Sequence, residues 1–297
     1  MQLSFQGFEP AGPPKIVNVA SVSQLSPFRY PGGKTWLVPF VRRWLGTIPQ
    51  RPYFLVDPFL GGGSVPLSAL NEGLADRLVL REIDEEVAAV WQCIFEGLHE
   101  SLCRRISSFH VSRESVIREL RTERTSLPAR AFQTILKNRT YRGGILARGA
   151  SLMKAGENGH GVRSRWYPKT LIRRIRCLAQ MSESVDFKCA DGFDVIRAYR
   201  DNLQAAFFVD PPYTAGNGKR AGKRLYSHNE LDHEQLFGLM GECVGPFLMT
   251  YDDDPGVVAL ARRFRFHVER IPMKNTHHEK KFELAITRDR CALDGTL

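Results

Sequence analysis

Asp210-Pro211-Pro212-Tyr213 places one carboxylate, two residues without an N–H and one aromatic ring directly after the apolar run Ala205-Ala206-Phe207-Phe208-Val209. The run reads as a buried strand, and in open α/β sheets ligands bind at the carboxyl ends of strands. An exocyclic amino group on a nucleobase is a poor nucleophile because its lone pair is delocalised into the ring. A site that methylates it must hold it with acceptors, and Asp210 together with the carbonyl of Pro211 would supply them. Neither proline can donate toward that nitrogen, and Tyr213 offers a face on which an extruded base stacks. These four residues suit amino-group methylation of a flipped base. They also suit an ordinary strand-to-turn junction, where Asp-Pro is common, so the choice between the two rests on the rest of the chain.

A second group of residues suits a nucleotide-like ligand. Tyr53-Phe54-Leu55-Val56-Asp57 reads as a strand that breaks, after Pro58-Phe59-Leu60, into Gly61-Gly62-Gly63 and then a helix beginning near Pro66. Missing side chains in such a loop let a ligand lie on the backbone. About twenty residues on, a second strand, Arg77-Leu78-Val79-Leu80, ends in Arg81-Glu82-Ile83-Asp84. An acid at that distance accepts hydrogen bonds from a ribose diol, so loop and acid together point to an adenosine-bearing cofactor. Upstream, Ser26-Pro27-Phe28-Arg29-Tyr30-Pro31-Gly32-Gly33-Lys34 is a tight glycine turn entering an amphipathic helix, with Leu37, Phe40, Val41 and Trp44 on one face. The spacing Gly-x-x-x-x-Gly-Lys-Ser/Thr is absent, which argues against a nucleoside triphosphate at this turn.

The elements that must position these groups follow an α/β order. Val185-Asp186-Phe187-Lys188-Cys189-Ala190 reads as a strand ending at Asp191, a helix spans residues 193–199, and the strand before Asp210 comes next. That alternation implies a parallel sheet covered on both faces. After Tyr213 a basic, glycine-spaced loop at 216–224, carrying Lys219 and Arg220, has the composition of a mobile clamp. Asp232, with Gln235 three residues later, reads as a helix cap rather than a catalytic acid. Residues 264–273 and 282–287 read as two antiparallel strands, and residues 1–24, with Pro10, Gly12, Pro13 and Pro14, as an arm of low order.

Charge singles out the middle of the chain. The 42 Lys and Arg against 32 Asp and Glu give a net charge of +10 over 297 residues, which favours a polyanionic partner. Residues 98–180 alone hold 18 Lys and Arg against 5 Asp and Glu, a net of +13, so the remainder is slightly acidic. Helical stretches at 116–124 and 171–181 flank a glycine-rich piece, Asn138-Arg139-Thr140-Tyr141-Arg142-Gly143-Gly144, that runs past Arg148 to Trp166. A charge run is usually just a solvated face, but an excess confined to one segment with aromatics interleaved favours DNA. No apolar run approaches the roughly 18 residues of a spanning helix, and no secretion signal is recognisable at the start, so the protein is expected in the cytoplasm. The six cysteines form no Cys-x-x-Cys pair and His277-His278 lacks ligand spacing, so no metal is expected.

In this order the pieces resemble the alpha-group, Dam-like, adenine-specific DNA methyltransferases, in which cofactor motifs come first, a target-recognition insertion follows and Asp-Pro-Pro-Tyr comes last. Residues 26–34 resemble the family's first motif, Asp57-Pro58-Phe59-Leu60-Gly61-Gly62-Gly63-Ser64 its glycine motif and Glu82-Ile83-Asp84 its ribose-acid motif. The resemblance runs from about Leu25 to Arg288. It implies a Rossmann-like, S-adenosylmethionine-dependent methyltransferase domain at 25–97 and 181–297, interrupted by a helical target-recognition domain at 98–180. It further implies that Tyr30, Gly33, Lys34, Asp57, Phe59, Gly61, Gly63, Glu82, Asp191 and Asp210 surround S-adenosylmethionine, with Glu82 on the ribose and Asp191 near the cofactor adenine. Asp210, Pro211, Pro212 and Tyr213 would hold a flipped adenine of double-stranded DNA, and Asn138, Arg139, Tyr141, Arg142, Arg148, Lys219 and Arg220 would meet the duplex. The family usually has Asp where Glu82 stands, a departure that bears on the ribose geometry; its recognition-loop arginine comes sooner after the tyrosine than Arg148 does, so the sequence of the DNA site does not carry over. Whether a restriction endonuclease partners the enzyme stays open, and so do amino methylation of cytosine and a DNA-binding protein of this fold without turnover.

Overall fold

The computed structural model describes residues 22–29, 33–146, 149–156, 159–212, 231–274 and 280–289. The helices are α1 (Val38–Thr47), α2 (Ser64–Asn71), α3 (Glu85–Phe95), α4 (His99–Ser108), α5 (Arg113–Arg121), α6 (Leu127–Thr140), α7 (Pro168–Ala179), α8 (Gly192–Tyr199), α9 (His233–Glu242) and α10 (Pro255–Arg263). Their starts follow from local chemistry. Asp84 accepts the Glu86 and Val87 N–H groups at the head of α3, Ser112 and Ser115 close a capping box on α5, and Ser126 with Pro128 opens α6. Asp232 accepts the Gln235 N–H at the start of α9, as its place in the sequence suggests.

Strands β1 (Phe54–Asp57), β2 (Arg77–Glu82), β3 (Val185–Cys189), β4 (Ala205–Val209), β5 (Phe247–Asp252), β6 (His267–Lys274) and β7 (Lys280–Thr287) form one sheet in the order β3-β2-β1-β4-β5-β7-β6. The first five pair in parallel, and β7 lies antiparallel to both β5 and β6. This is the α/β, Rossmann-like sheet that the sequence implies. From β1 the chain moves outward to β2 and β3, then returns to β4 on the other side of β1. The β1/β4 boundary is therefore the topological switch point, where ligands bind beyond the carboxyl ends of the strands in such sheets.

Successive side chains on a strand go to opposite faces, and here both faces are apolar. Leu55 and Phe208 belong to one buried cluster, Val56 and Phe207 to the other. Helices α1, α2 and α3 cover the first face, and α8, α9 and α10 the second. The basic region adds α4 to α7, whose Leu102, Ile106, Phe132, Ile135, Leu171 and Ile175 join Trp91 and Ile94 of α3 in the first cluster. Its helices thus share one continuous core with the sheet. No helix among the described residues is long and apolar enough to cross a membrane.

Candidate active site

Asp57 ends β1, and Asp210 follows β4, the parallel strand beside it, so both carboxylates come to the same sheet edge. Asp57 is 2 % exposed and accepts the Phe59 N–H at 3.0 Å, which turns the chain into the glycine loop. Burial pushes its carboxyl well above the usual range despite that bond, and the carboxylates of Asp210 and Glu82 add to the rise.

The loop itself is fixed from two sides. Gly63 adopts φ +64°, and a Cβ there would lie 3.1 Å from Leu60 Cδ1 and 3.2 Å from Leu67 Cδ1, so only glycine suits the position. Glu82 Oε2 accepts the Gly61 N–H at 2.8 Å, and Trp91 Nε1 donates to the Gly61 carbonyl at 3.0 Å. The other Glu82 oxygen accepts the Asp84 N–H at 2.8 Å. Each carboxylate oxygen retains further acceptor capacity, so Glu82 both braces the loop and stays able to take a donor from the cavity. Burial pushes its carboxyl up to about 7, against the pull of those backbone bonds.

Across the crevice, Asp191 caps α8 by accepting the Phe193 N–H at 2.9 Å. The next residue must be glycine, because a Cβ on Gly192 would stand 2.4 Å from the Pro58 carbonyl oxygen. That close approach brings Phe193 to Phe59, edge to face, with ring centroids 6.3 Å apart.

Asp210 sits in a network of charge. Its Oδ1 accepts the Thr250 hydroxyl at 2.7 Å and lies 3.1 Å from Lys34 Nζ, which is itself 3.4 Å from Glu283 Oε2. Lys34 is 4 % exposed. Burial alone would lower its pKa, but the carboxylates of Asp210 and Glu283 outweigh burial and raise it. Behind them, the buried Tyr251 hydroxyl meets His233 Nδ1 at 2.9 Å.

The glycine loop, Glu82, Asp191, Lys34 and Asp210 open onto one cavity of about 290 Å³. Gly33, Lys34, Asp57, Phe59, Gly61 and Gly63 line it, as do Glu82, Asp191, Asp210 and Pro212, while Pro211 is buried beside it. Gly144 and Leu146 close the side toward the basic region. Tyr30, Arg148, Tyr213, Lys219 and Arg220 lie outside the described residues, as does the loop at 216–224. Thr250, Glu283 and Trp91 have no counterpart among the residues singled out from the sequence.

Two expected DNA contacts are corrected. Asn138 is 0 % exposed and Arg139 5 %, because α6 turns both inward. Asn138 clasps the main chain of Arg29 and donates to the Gly144 carbonyl at 2.9 Å, while Arg139 donates to the Pro27 carbonyl. Burial, with the guanidiniums of Arg174 and Arg29 nearby, lowers the Arg139 pKa to about 10. Both residues fasten the segment that leads to Lys34. Arg142, just past the helix, is exposed, and Tyr141 is half-buried.

The sequence model for D12 class N6 adenine-specific DNA methyltransferases matches residues 30–271. The chain belongs to this family. It is accordingly an adenine-specific DNA methyltransferase, with DNA as its substrate and a methyl donor as its second reactant. No curated protein matches the chain. Among solved structures it is similar to the rRNA methyltransferase aviRa from Streptomyces viridochromogenes, at 14% identity over 89% of this chain and 88% of that one, with a TM-score of 0.40. It is also similar to the precorrin-6y C5,15-methyltransferase from Geobacter metallireducens GS-15, at 10% identity over 82% and 83% of the two chains, with a TM-score of 0.34. Overlaps of that size bear on no substrate. The cavity of this methyltransferase fits a methyl donor on its own features: a glycine loop without side chains, two aromatic rings and a braced carboxylate.

Proposed function

We propose that the enzyme transfers the sulfonium methyl of S-adenosylmethionine, in line, to the exocyclic amino nitrogen of an adenine flipped out of duplex DNA. The observation that carries this reading is the meeting of Asp210 with the glycine loop at the β1/β4 switch point, which supports methyl donor and target base in one cavity. The donor supplies an electrophilic methyl group; the chain supplies position, which accounts for much of the rate in such transfers. Glu82 would accept from the ribose hydroxyls, and Asp191 would take the adenine amino group of the donor between Phe59 and Phe193. Asp210 and the Pro211 carbonyl would accept hydrogen bonds from the target amino group, and Tyr213 would stack on the extruded base. Tyr30, Gly33 and Lys34 would complete the wall on the donor side.

In the same reading, residues 25–97 and 181–297 form the catalytic domain, 98–180 the target-recognition domain and 1–24 an N-terminal arm, of which Val22 packs into the first core cluster and Gln24 accepts from Arg174. The duplex would meet Tyr141, Arg142, Arg148, Lys219 and Arg220, and the protein would act in the cytoplasm, with or without a partner restriction endonuclease. The test is incubation of the purified protein with methyl-labelled S-adenosylmethionine and unmethylated duplex DNA, followed by digestion and nucleoside analysis. Label in N6-methyladenine is the expected result. Label in N4-methylcytosine would move the target base, and retention of DNA without label transfer would leave a binding protein.

A further inference from the structure

Glu283 lies on β7, two strands away from the β4 end that carries Asp210, yet both carboxylates reach the same ammonium. Lys34 Nζ stands 3.1 Å from Asp210 Oδ1 and 3.4 Å from Glu283 Oε2, in a place where the lysine is 4 % exposed. The strand register explains the meeting. Thr250 pairs with Ala285 and Asp252 with Glu283 across β5 and β7, so Thr250 and Glu283 project from one face of the sheet. Thr250 donates its hydroxyl to Asp210 from that face. Glu283 is a carboxylate in an otherwise apolar stretch, Leu284-Ala285-Ile286, all of it buried. Such a group costs stability unless it is paired; its Oε2 has no hydrogen-bond partner among the described residues, and its countercharge is Lys34 at 3.4 Å.

We propose that Glu283 is a positioning residue for methyl transfer: it shares the Lys34 ammonium with Asp210, and so leaves Asp210 a strong acceptor toward the target amino group. This rests on the methyl-transfer reading above. An ammonium held by Asp210 alone would draw electron density from the oxygen that must accept from the substrate, and would be free to shift along it. A second carboxylate within ion-pair distance takes part of that charge and draws the ammonium toward itself. The charged groups facing Glu283 are Lys34 from the segment before α1, Asp210 after β4 and Asp252 across β5; its partner on β6 is the apolar Ile271. Burial pushes the Glu283 carboxyl up to about 7, tempered by Lys34 and reinforced by Asp210 and Asp252. Acidification through neutrality therefore discharges Glu283 and leaves Asp210 a larger share of the ammonium.

The experiment is single-turnover methyl transfer by the full chain, with saturating S-adenosylmethionine and unmethylated genomic DNA, between pH 6 and 8.5. The wild-type rate should fall on the acid side with a midpoint near neutrality. Glu283→Gln should be slower at pH 8 by about tenfold and should lose that acid limb, while its affinity for S-adenosylmethionine by calorimetry stays within about twofold. Glu283→Asp, which keeps a titrating group, should keep a limb with a displaced midpoint. A Glu283→Gln enzyme with wild-type rates and a wild-type pH profile overturns the proposal. Should that variant fail to fold, an Asp variant whose midpoint is unmoved overturns it equally, and a displaced one supports it. A wild-type protein that transfers no methyl group overturns the reading beneath, and the control arm without substitution shows which of the two has failed.

Discussion

Asn138 holds the main chain of Arg29 at both of its polar groups: its Oδ1 accepts the Arg29 N–H at 2.9 Å, and its Nδ2 donates to the Arg29 carbonyl at 3.0 Å. The two residues are 109 positions apart, so one side chain stitches the end of α6 to the segment that delivers Lys34 to Asp210. Asn138→Ala removes three hydrogen bonds from a fully buried site. Urea unfolding should show a loss of about 1–3 kcal/mol, and methyl transfer should slow because Lys34 is no longer held in register. Wild-type stability in this variant would show the clasp to be redundant.

Glu86, on α3, makes a second join between the layer that covers the sheet and the basic region. Its carboxylate meets Arg124 at 2.6 Å and Lys137 at 2.7 and 2.8 Å. Burial works against its ionisation, but the two cations prevail and lower the carboxyl pKa. A depressed carboxyl stabilises the fold above its unfolded pKa and loses that contribution as pH falls through the folded value. Glu86→Gln should therefore cost about 1–3 kcal/mol at pH 7, with the gap to wild type closing below about pH 4. Melting curves at pH 7 and at acid pH test both halves.

Glu82 titrates in the neutral range because burial pushes it to about 7. Hydroxyl donors favour the ionised form, so affinity for S-adenosylmethionine should rise as pH goes from 6 to 8. Glu82→Ala should weaken binding by about 1–3 kcal/mol and abolish that dependence. Calorimetry across the range reads both effects.

Arg142 is exposed past the end of α6, whereas Arg139 is buried beneath it. Arg142→Ala should flatten the slope of log K for duplex binding against log salt by about one unit. Arg139→Ala should leave the slope alone and lower the melting temperature instead. Equal slopes for wild type and the Arg142 variant would move the duplex to other residues.

Much of this arrangement was legible because it rests on local chemistry. The strand, glycine loop and helix around Gly63, the acid at Glu82 and the apolar run before Asp210 each carry their own signal, and all of them line or adjoin the cavity. The inward turn of Asn138 and Arg139 was not legible, since a basic, polar stretch reads as surface until α6 is recognised. That helix begins at Ser126 and Pro128, a capping signal masked by the charge around it. Strand β5 was hidden as well: Phe247-Leu248-Met249 is a short run without alternation, soon followed by Asp252-Asp253-Asp254. Thr250 is hidden with it. Glu283 did leave a trace, a lone carboxylate inside an apolar strand, but its partner lies some 250 residues earlier and only the β5/β7 register unites them.

The central claim is that Asp210 acts on the target amino group. Asp210→Asn keeps the shape of the side chain but offers a weaker acceptor, and it can turn an N–H toward the substrate. With saturating S-adenosylmethionine and unmethylated DNA, its single-turnover methyl-transfer rate should fall by about a hundredfold or more, on the order of 3 kcal/mol, while DNA affinity measured by filter binding changes little. Asp210→Ala should be at least as slow. Near-normal single-turnover rates in both variants would contradict the account and remove the residues from 210 to 213 from the centre of the reaction.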